Sequence, residues 1–90
     1  MIEEIHVQIA GQVQGVGFRF LVSRYALKHN IKGFVRNLPS GRVEICAQGT
    51  NSALQEFFKE IREAPGRATI ESFDEKKTEC GKKYSTFEIY

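Results

Sequence analysis

The sequence predicts an α+β fold in which two helices cover one face of an antiparallel sheet. Several short segments alternate apolar and polar residues, two longer segments repeat apolar residues at helical spacing, and these segments follow one another in the order βαββαβ. The length of 90 residues fits a single domain over residues 1–90, which would bury about two-thirds of its unfolded surface.

The first strand and the first helix are separated by a glycine-rich segment. Ile5, Val7 and Ile9 alternate with polar or small residues and predict a half-buried strand. After Gly17, apolar residues recur at helical spacing until the pattern fades near His29. The residues of this predicted helical stripe are Phe18, Leu21, Val22, Tyr25 and Ala26.

A hairpin and a second helix follow. Residues 31–37 predict a strand, Pro39-Ser40-Gly41 a turn, and residues 43–47 a strand paired with the first of these. Residues 50–52, Thr-Asn-Ser, offer side-chain oxygens to cap a second helix, which ends at Pro65-Gly66. Its apolar stripe consists of Leu54, Phe57, Phe58 and Ile61.

The last third of the chain predicts a strand over residues 69–78, a polar turn over residues 80–83 and a short closing strand at Phe87 and Ile89. The resulting order is the split βαβ, or ferredoxin-like, architecture, with two helices on one face of the sheet. Many functions share this fold, so the function has to be argued from a site.

The composition excludes several classes of protein. A net charge of +2 is too small to indicate a nucleic-acid or membrane-surface partner, and no apolar run approaches the ~18 residues of a membrane span. The N-terminus lacks the pattern of a signal peptide, so we expect a cytoplasmic monomer without nucleic-acid or membrane partners. Cys46 and Cys80 could be two free thiols or one disulfide, and the expected compartment favours free thiols.

The segment QVQGVGFRF, residues 12–20, joins the first strand to the first helix. It matches neither the dinucleotide fingerprint nor the P-loop. A strand-to-helix turn presents unpaired N–H groups at the positive end of the helix, and Gly15 and Gly17 would let an anion approach the backbone. Arg19 adds a planar cation that can grip two phosphate oxygens. The same residues would equally suit a plain glycine turn beside an exposed arginine.

The segment GFVRNLPSG, residues 33–41, puts Asn37 at the end of the second predicted strand. Right-handed crossovers would separate this strand from the first one in the sheet. The amide of Asn37 could start the turn, a common role for asparagine, or it could belong to a functional site. The residues alone leave both roles open.

Together, the two segments resemble the signatures of the acylphosphatase family. The pattern G-x-V-Q-G-V-x-F-R is met from Gly11 to Arg19, and G-x-V-x-N with a glycine-ended turn is met from Gly33 to Gly41. With the ending Phe-Glu-Ile-Tyr at residues 87–90, the likeness covers essentially the whole chain. This family hydrolyses the carboxyl–phosphate bond of acyl phosphates on a ferredoxin-like fold, without a metal or an organic cofactor.

The resemblance implies the site residues. Arg19 would be the phosphate-binding arginine and Asn37 the asparagine that orients the attacking water, while the substrate-binding loop would comprise Gly15, Val16, Gly17, Phe18 and Arg19. The substrate would be a small acyl phosphate, and inorganic phosphate would be both product and competitive ligand. Relatives often have Asp-Gly where this chain has Ser40-Gly41, which affects the detail of the hairpin rather than the chemistry.

Other readings of the sequence are weaker. His6, His29, Cys46 and Cys80 lack metal-ligand spacing along the chain. An RNA-binding RRM module has the same order of elements, but its aromatic motif belongs on the third strand, and residues 43–46 contain no aromatic residue. A domain that handles carbamoyl phosphate within a larger enzyme, or one without activity, is the other alternative. Because the chain ends at Tyr90 without a linker, we expect a free-standing enzyme.

Overall fold

A computed structural model describes residues 1–79 and 81–90, whose strands form one five-stranded sheet in the order β4-β1-β3-β2-β5. The two helices precede β2 and β4, respectively, so the predicted ferredoxin-like α+β architecture is confirmed. The elements are β1 (Glu3–Gln12), α1 (Phe18–Lys28), β2 (Lys32–Asn37), β3 (Val43–Gly49), α2 (Asn51–Glu63), β4 (Thr69–Thr78) and β5 (Phe87–Ile89).

The sheet is mixed rather than purely antiparallel. β1 pairs antiparallel with β3 and β4, and β2 pairs antiparallel with β3, as predicted. β5 instead lies parallel to β2, with Val35 opposite Ile89. β4 lies at one edge of the sheet and runs opposite to β1 and β2. The chain reverses direction as it passes to the other edge, so β5 runs in the direction of β2. The prediction of a wholly antiparallel sheet is therefore wrong for this last strand.

The core lies between the helices and one face of the sheet. Alternate residues of the strands point to this face, which is why Ile5, Val7 and Ile9 are all at most 5% exposed. The helices contribute Phe18, Val22, Ala26, Leu54, Phe57, Phe58 and Ile61 to the same cluster. Burial of each large side chain of this kind stabilises a fold by roughly 1.5–3 kcal/mol. Neither described helix is long and apolar enough to cross a membrane.

Part of the other face of the sheet is covered by the connection between β4 and β5. The Gln48 side chain donates to Lys82 O at 2.5 Å and accepts from the Tyr84 N–H at 3.0 Å, which ties this connection to β3. Beneath it lies Cys46, which is a buried free thiol, as expected. Cys80, which is also expected to be a free thiol, lies outside the described residues. The first residue of the predicted polar turn at residues 80–83 also lies outside the described part of the chain, whereas residues 81–83 are exposed and belong to no helix or strand.

Glu4 is a buried carboxylate on this outer face. It accepts hydrogen bonds from Thr78 at 2.6 Å and Gln48 at 2.7 Å, and His6 Nε2 lies 3.0 Å from it. Burial opposes ionisation, but the bonds from Thr78, Gln48 and His6 outweigh that effect and lower the pKa of Glu4. The ionised carboxylate therefore stabilises the fold.

Glu4→Gln should reduce the free energy of unfolding at neutral pH by about 1–3 kcal/mol, because an amide donor then faces donors of Gln48 and Thr78. The stabilisation from a lowered carboxyl pKa is present above the ordinary value of 4.5 and is lost as the pH falls through the lowered pKa. The difference between the two proteins should therefore shrink in acid. Denaturant titrations in metal-free buffer from neutral to acid pH measure it. Glu71→Gln, on the exposed part of β4, is the control. A difference for Glu4→Gln that does not change with pH would contradict a stabilising, ionised Glu4.

Candidate active site

The loop between β1 and α1, residues 13–17, is held in a left-handed conformation at two positions. Gly15 has φ +77° and Gly17 has φ +76°, values at which a Cβ atom costs roughly 1–2 kcal/mol. Val13 is buried, and Val16 packs against the core, so apolar side chains anchor the loop between the glycines. This arrangement leaves the backbone at the glycines exposed.

The N-terminus of α1 carries no side-chain cap in the described part of the chain. Gly17 occupies the capping position and offers no side chain, and the first turn contains no acidic residue. At the start of α2, by contrast, the Thr50 hydroxyl accepts a hydrogen bond from the Ala53 N–H at 3.2 Å. The first N–H groups of α1 and the positive end of its dipole are thus available to an anion.

A cavity of about 180 Å³ opens at this helix end. At ~30 Å³ of liquid volume per water molecule, it is large enough for a phosphate group. Four of the five predicted loop residues line it. Val16, the fifth, packs against the core, and Phe18 is only 2% exposed. The lining residues are Val13, Gly15, Gly17, Phe18, Arg19, Phe20 and Ile89.

Arg19 is held by the end of the sheet. Its Nη1 donates to Tyr90 O at 2.5 Å, and the Tyr90 N–H donates to Val35 O on β2 at 2.9 Å. The Tyr90 ring also stacks on Phe34, with centroids 5.3 Å apart. This contact fixes the direction of the guanidinium while leaving further N–H donors for a ligand in the cavity.

Asn37 ends β2, and its Oδ1 is buried without a hydrogen-bond partner in the described residues. The turn that follows is closed by other groups. The Leu38 N–H donates to Arg42 O at 2.8 Å, and the Arg42 N–H donates to Ser40 Oγ at 3.3 Å. The Ser40 hydroxyl therefore contributes to this turn. These described bonds do not involve Asn37, so other groups close the turn.

Gln14 joins the loop to this turn. Its Nε2 donates to Leu38 O at 3.0 Å and to Arg42 O at 2.9 Å. No role is predicted for Gln14 from the sequence, although a polar residue between Val13 and Gly15 in an apolar, glycine-rich loop is a usable signal. The two sequence signatures are thus physically connected in the structure.

The remaining polar groups considered in the sequence lie elsewhere. His29 and Lys28 bind Glu60 between the two helices, and the hydrogen bonds from His29 and then Lys28 lower the pKa of Glu60. The Ser23 hydroxyl donates to Phe20 O at 2.7 Å within α1, as expected for a surface helix residue rather than a nucleophile.

The fold and this cavity define a class of protein: a ferredoxin-like α+β protein with an anion-sized site at an uncapped helix N-terminus, next to an arginine. Comparison with known proteins identifies the family. The acylphosphatase family model matches residues 5–89, and the chain belongs to that family.

Relatives of similar length support this assignment. An acylphosphatase of Archaeoglobus fulgidus is 40% identical over 85 residues, which cover 94% of each chain. The crystal structure of acylphosphatase from Bacillus subtilis matches with a TM-score of 0.92 at 31% identity, covering 100% of this chain and 99% of that one. Full-length HypF, in a phosphate- and nucleotide-bound form, matches with a TM-score of 0.94 at 36% identity. Here the chain spans only 12% of the HypF chain.

Two glycines of the signatures should respond differently to alanine. A Cβ on Gly33 would lie 1.8 Å from Cys46 O, whereas one on Gly15 would meet no atom within 4 Å. Gly33→Ala should therefore cost about 3 kcal/mol or more, since strain and overpacking add. Gly15→Ala should cost only about 1–2 kcal/mol, through its positive φ. Chemical denaturation measures both, and Gly15→Asn should recover part of the loss because asparagine tolerates this backbone conformation. Equal losses at the two positions would contradict this account.

Proposed function

We propose that this protein hydrolyses the carboxyl–phosphate bond of acyl phosphates, releasing a carboxylate and inorganic phosphate. Its family and its full-length acylphosphatase relatives support this function. The observation that carries the proposal is the position of Arg19, which is held by Tyr90 at the wall of a cavity at the uncapped N-terminus of α1.

The chemistry of an acyl phosphate makes few demands on the protein. The leaving group is a carboxylate, which is stable without protonation, so no general acid is required at that oxygen. What remains is to bind the phosphoryl oxygens, to stabilise the charge spread over them in a loose transition state, and to direct a water in line. The N–H groups of residues 15–19 and the Arg19 guanidinium perform the first two tasks. Exposed apolar side chains of Phe20 and Ile89 provide a surface for the acyl group.

Asn37 performs the third task in this proposal. A buried acceptor without a partner is destabilising, and a water that donates to Asn37 Oδ1 would remove that penalty and take up a defined orientation. An amide cannot act as a base at neutral pH, so the proton of the water passes to an oxygen of the substrate phosphate. Gln14 acts as a positioning residue, because it holds the turn after Asn37 against the loop.

Several further properties follow from the same site. Glycines, apolar residues and Arg19 line the cavity, which contains no carboxylate or imidazole in its described lining, so we propose a reaction that is independent of metals and cofactors. Inorganic phosphate, the product, binds the same groups and competes with substrate. We further propose that the protein acts as a cytoplasmic monomer without nucleic-acid or membrane partners.

An RNA-binding role is disfavoured by the surroundings of Phe34. An RRM module stacks bases on exposed aromatic rings of its sheet. Here the Phe34 ring contacts the rings of Tyr84 at 5.9 Å and Tyr90 at 5.3 Å, so other parts of the chain cover it.

Release of phosphate from acetyl phosphate and benzoyl phosphate tests the proposed activity. A simple phosphomonoester is the control, because its leaving alkoxide requires the general acid that this site lacks. Carbamoyl phosphate is included to separate a general acylphosphatase from a domain restricted to that compound. Hydrolysis of the acyl phosphates alone supports the proposal, and equal hydrolysis of the phosphomonoester contradicts it.

Asn37→Ala should lower kcat by about 100-fold or more while preserving the fold and the affinity for phosphate, because it removes only the positioning of the water. An oriented group of this kind contributes ~3 kcal/mol or more to lowering the barrier. Unfolding midpoint, inhibition by phosphate and kcat are measured on one preparation. Asn51→Ala, which removes an amide bonded to Glu3 at the start of α2, is the matched control. Normal turnover in folded Asn37→Ala would contradict a role for Asn37 in positioning the water and would leave it only a structural role.

Arg19→Gln should abolish both competitive inhibition by phosphate and the stabilisation that phosphate confers. At ~100 times its dissociation constant, phosphate stabilises a native protein by about 2.7 kcal/mol, a shift that thermal melts detect. Arg19→Lys should restore little, because a point charge cannot reproduce a two-pronged grip.

The control for this experiment is Arg24→Gln, which removes the same charge from the exposed side of the same helix. Each protein is melted with and without phosphate, because loss of the bond to Tyr90 also affects the phosphate-free protein. The ionic strength of the two samples is matched, so that a general salt effect does not imitate phosphate binding. If Arg19→Gln retained the full phosphate shift, the guanidinium would have no part in anion binding.

A further inference from the structure

Three potential metal ligands meet on the outer face of the sheet, although they are far apart in the sequence. Glu4 and His6 point to the same side of β1, and the strand register puts His6 opposite Cys46 on β3. A carboxylate oxygen, a ring nitrogen and the Sγ atom all lie within 4.8 Å of one another. Linear spacing did not indicate a metal site because the register, rather than the sequence, assembles these residues.

We propose that Glu4, His6 and Cys46 bind a divalent cation of the zinc class, at a site separate from the candidate active site. One oxygen, one nitrogen and one sulfur donor form a set that Zn²⁺ accepts, with bonds of about 2.0–2.3 Å. Tetrahedral coordination at those lengths separates the donors by about 3.5 Å, so small side-chain rotations would close the present cluster around an ion.

Neighbouring residues orient the ligands. Gln48 and Thr78 donate to the two oxygens of Glu4 at 2.7 and 2.6 Å, and such outer hydrogen bonds hold a ligating carboxylate in place. Sulfur binds a divalent cation as the thiolate, so binding releases the Cys46 proton to solvent.

A route for the ion leads from the surface to His6. The His6 side chain is 36% exposed and lines a groove of about 360 Å³, whereas Glu4 and Cys46 are buried behind it. Carboxylates of Glu44, Asp74 and Glu75 line the same groove together with the cation of Lys76. Glu44 and Asp74 are paired with Arg36 and Arg42, respectively, so Glu75 is the carboxylate of this lining for which no ion pair is described.

The site lies well away from the phosphate cavity. Gln12 lies six positions after His6 along β1, and at ~3.3 Å per position this is about 20 Å before the loop of residues 13–17 begins. A bound cation at this site would therefore not contact Arg19. Metal binding and acyl phosphate hydrolysis can be measured independently of each other.

Cobalt provides a direct probe, because a thiolate bound to Co²⁺ gives an intense near-ultraviolet charge-transfer band. The reduced full chain is stripped with a chelator, exchanged into chelator-free buffer and titrated first with Co²⁺ and then with Zn²⁺. We expect one Co²⁺ per chain with this band, displacement by Zn²⁺, and a higher unfolding temperature with Zn²⁺. Cys46→Ser should abolish the band, and His6→Ala should weaken binding by at least about tenfold. Cys46→Ala serves if the serine variant fails to fold.

Two matched controls identify the ligands. Cys80→Ser removes the other thiol and should retain the band. His29→Ala disrupts a second imidazole–carboxylate pair, His29 with Glu60 at 2.7 Å, and should retain the affinity. The proposal is overturned if Co²⁺ gives no thiolate band, if the band survives in Cys46→Ser, or if it is lost in Cys80→Ser. Phosphate release on the same samples should be equal with and without Zn²⁺. A dependence on Zn²⁺ that His6→Ala removes would overturn the separation of the two sites.

Discussion

The two hydrogen bonds from Gln14 hold together a site whose halves belong to strands that do not touch. β3 lies between β1 and β2, so the ends of β1 and β2 are about 10 Å apart, twice the spacing of paired strands. Gln14 reaches across the end of β3 to Leu38 and Arg42, and it thereby fixes the distance between the glycine loop and Asn37.

The C-terminal strand supplies the second constraint. Because β5 runs parallel to β2, Tyr90 emerges beside Val35, on the same side of the molecule as Arg19. The backbone of Tyr90 then binds β2 through its N–H and Arg19 through its carbonyl. The guanidinium is thus held by Tyr90, which is in turn hydrogen-bonded to β2, the strand that carries Asn37, and the loop does not have to position it alone.

Local patterns predicted the elements, whereas contacts between distant residues decided the rest. Alternation in β1, helical spacing in α1 and the turn at Ser40 depend on neighbours within a few residues, and the structure agrees with them. The bonds of Gln14 span 24 and 28 residues, and the approach of His6 to Cys46 depends on strand register. No local sequence pattern encodes the bonds of Gln14, the contact of His6 with Cys46 or the parallel pairing of β5.

The position of β4 at the edge of the sheet has a consequence for the behaviour of the protein in concentrated solution. β4 is ten residues long and, among the described strands, pairs with β1 alone, so its other side presents a row of backbone donors and acceptors to which a strand of another molecule could add. The run Asp74-Glu75-Lys76-Lys77 is exposed along this edge. An incoming strand would have to desolvate charges of both signs, and this obstacle protects the folded protein from edge-to-edge aggregation.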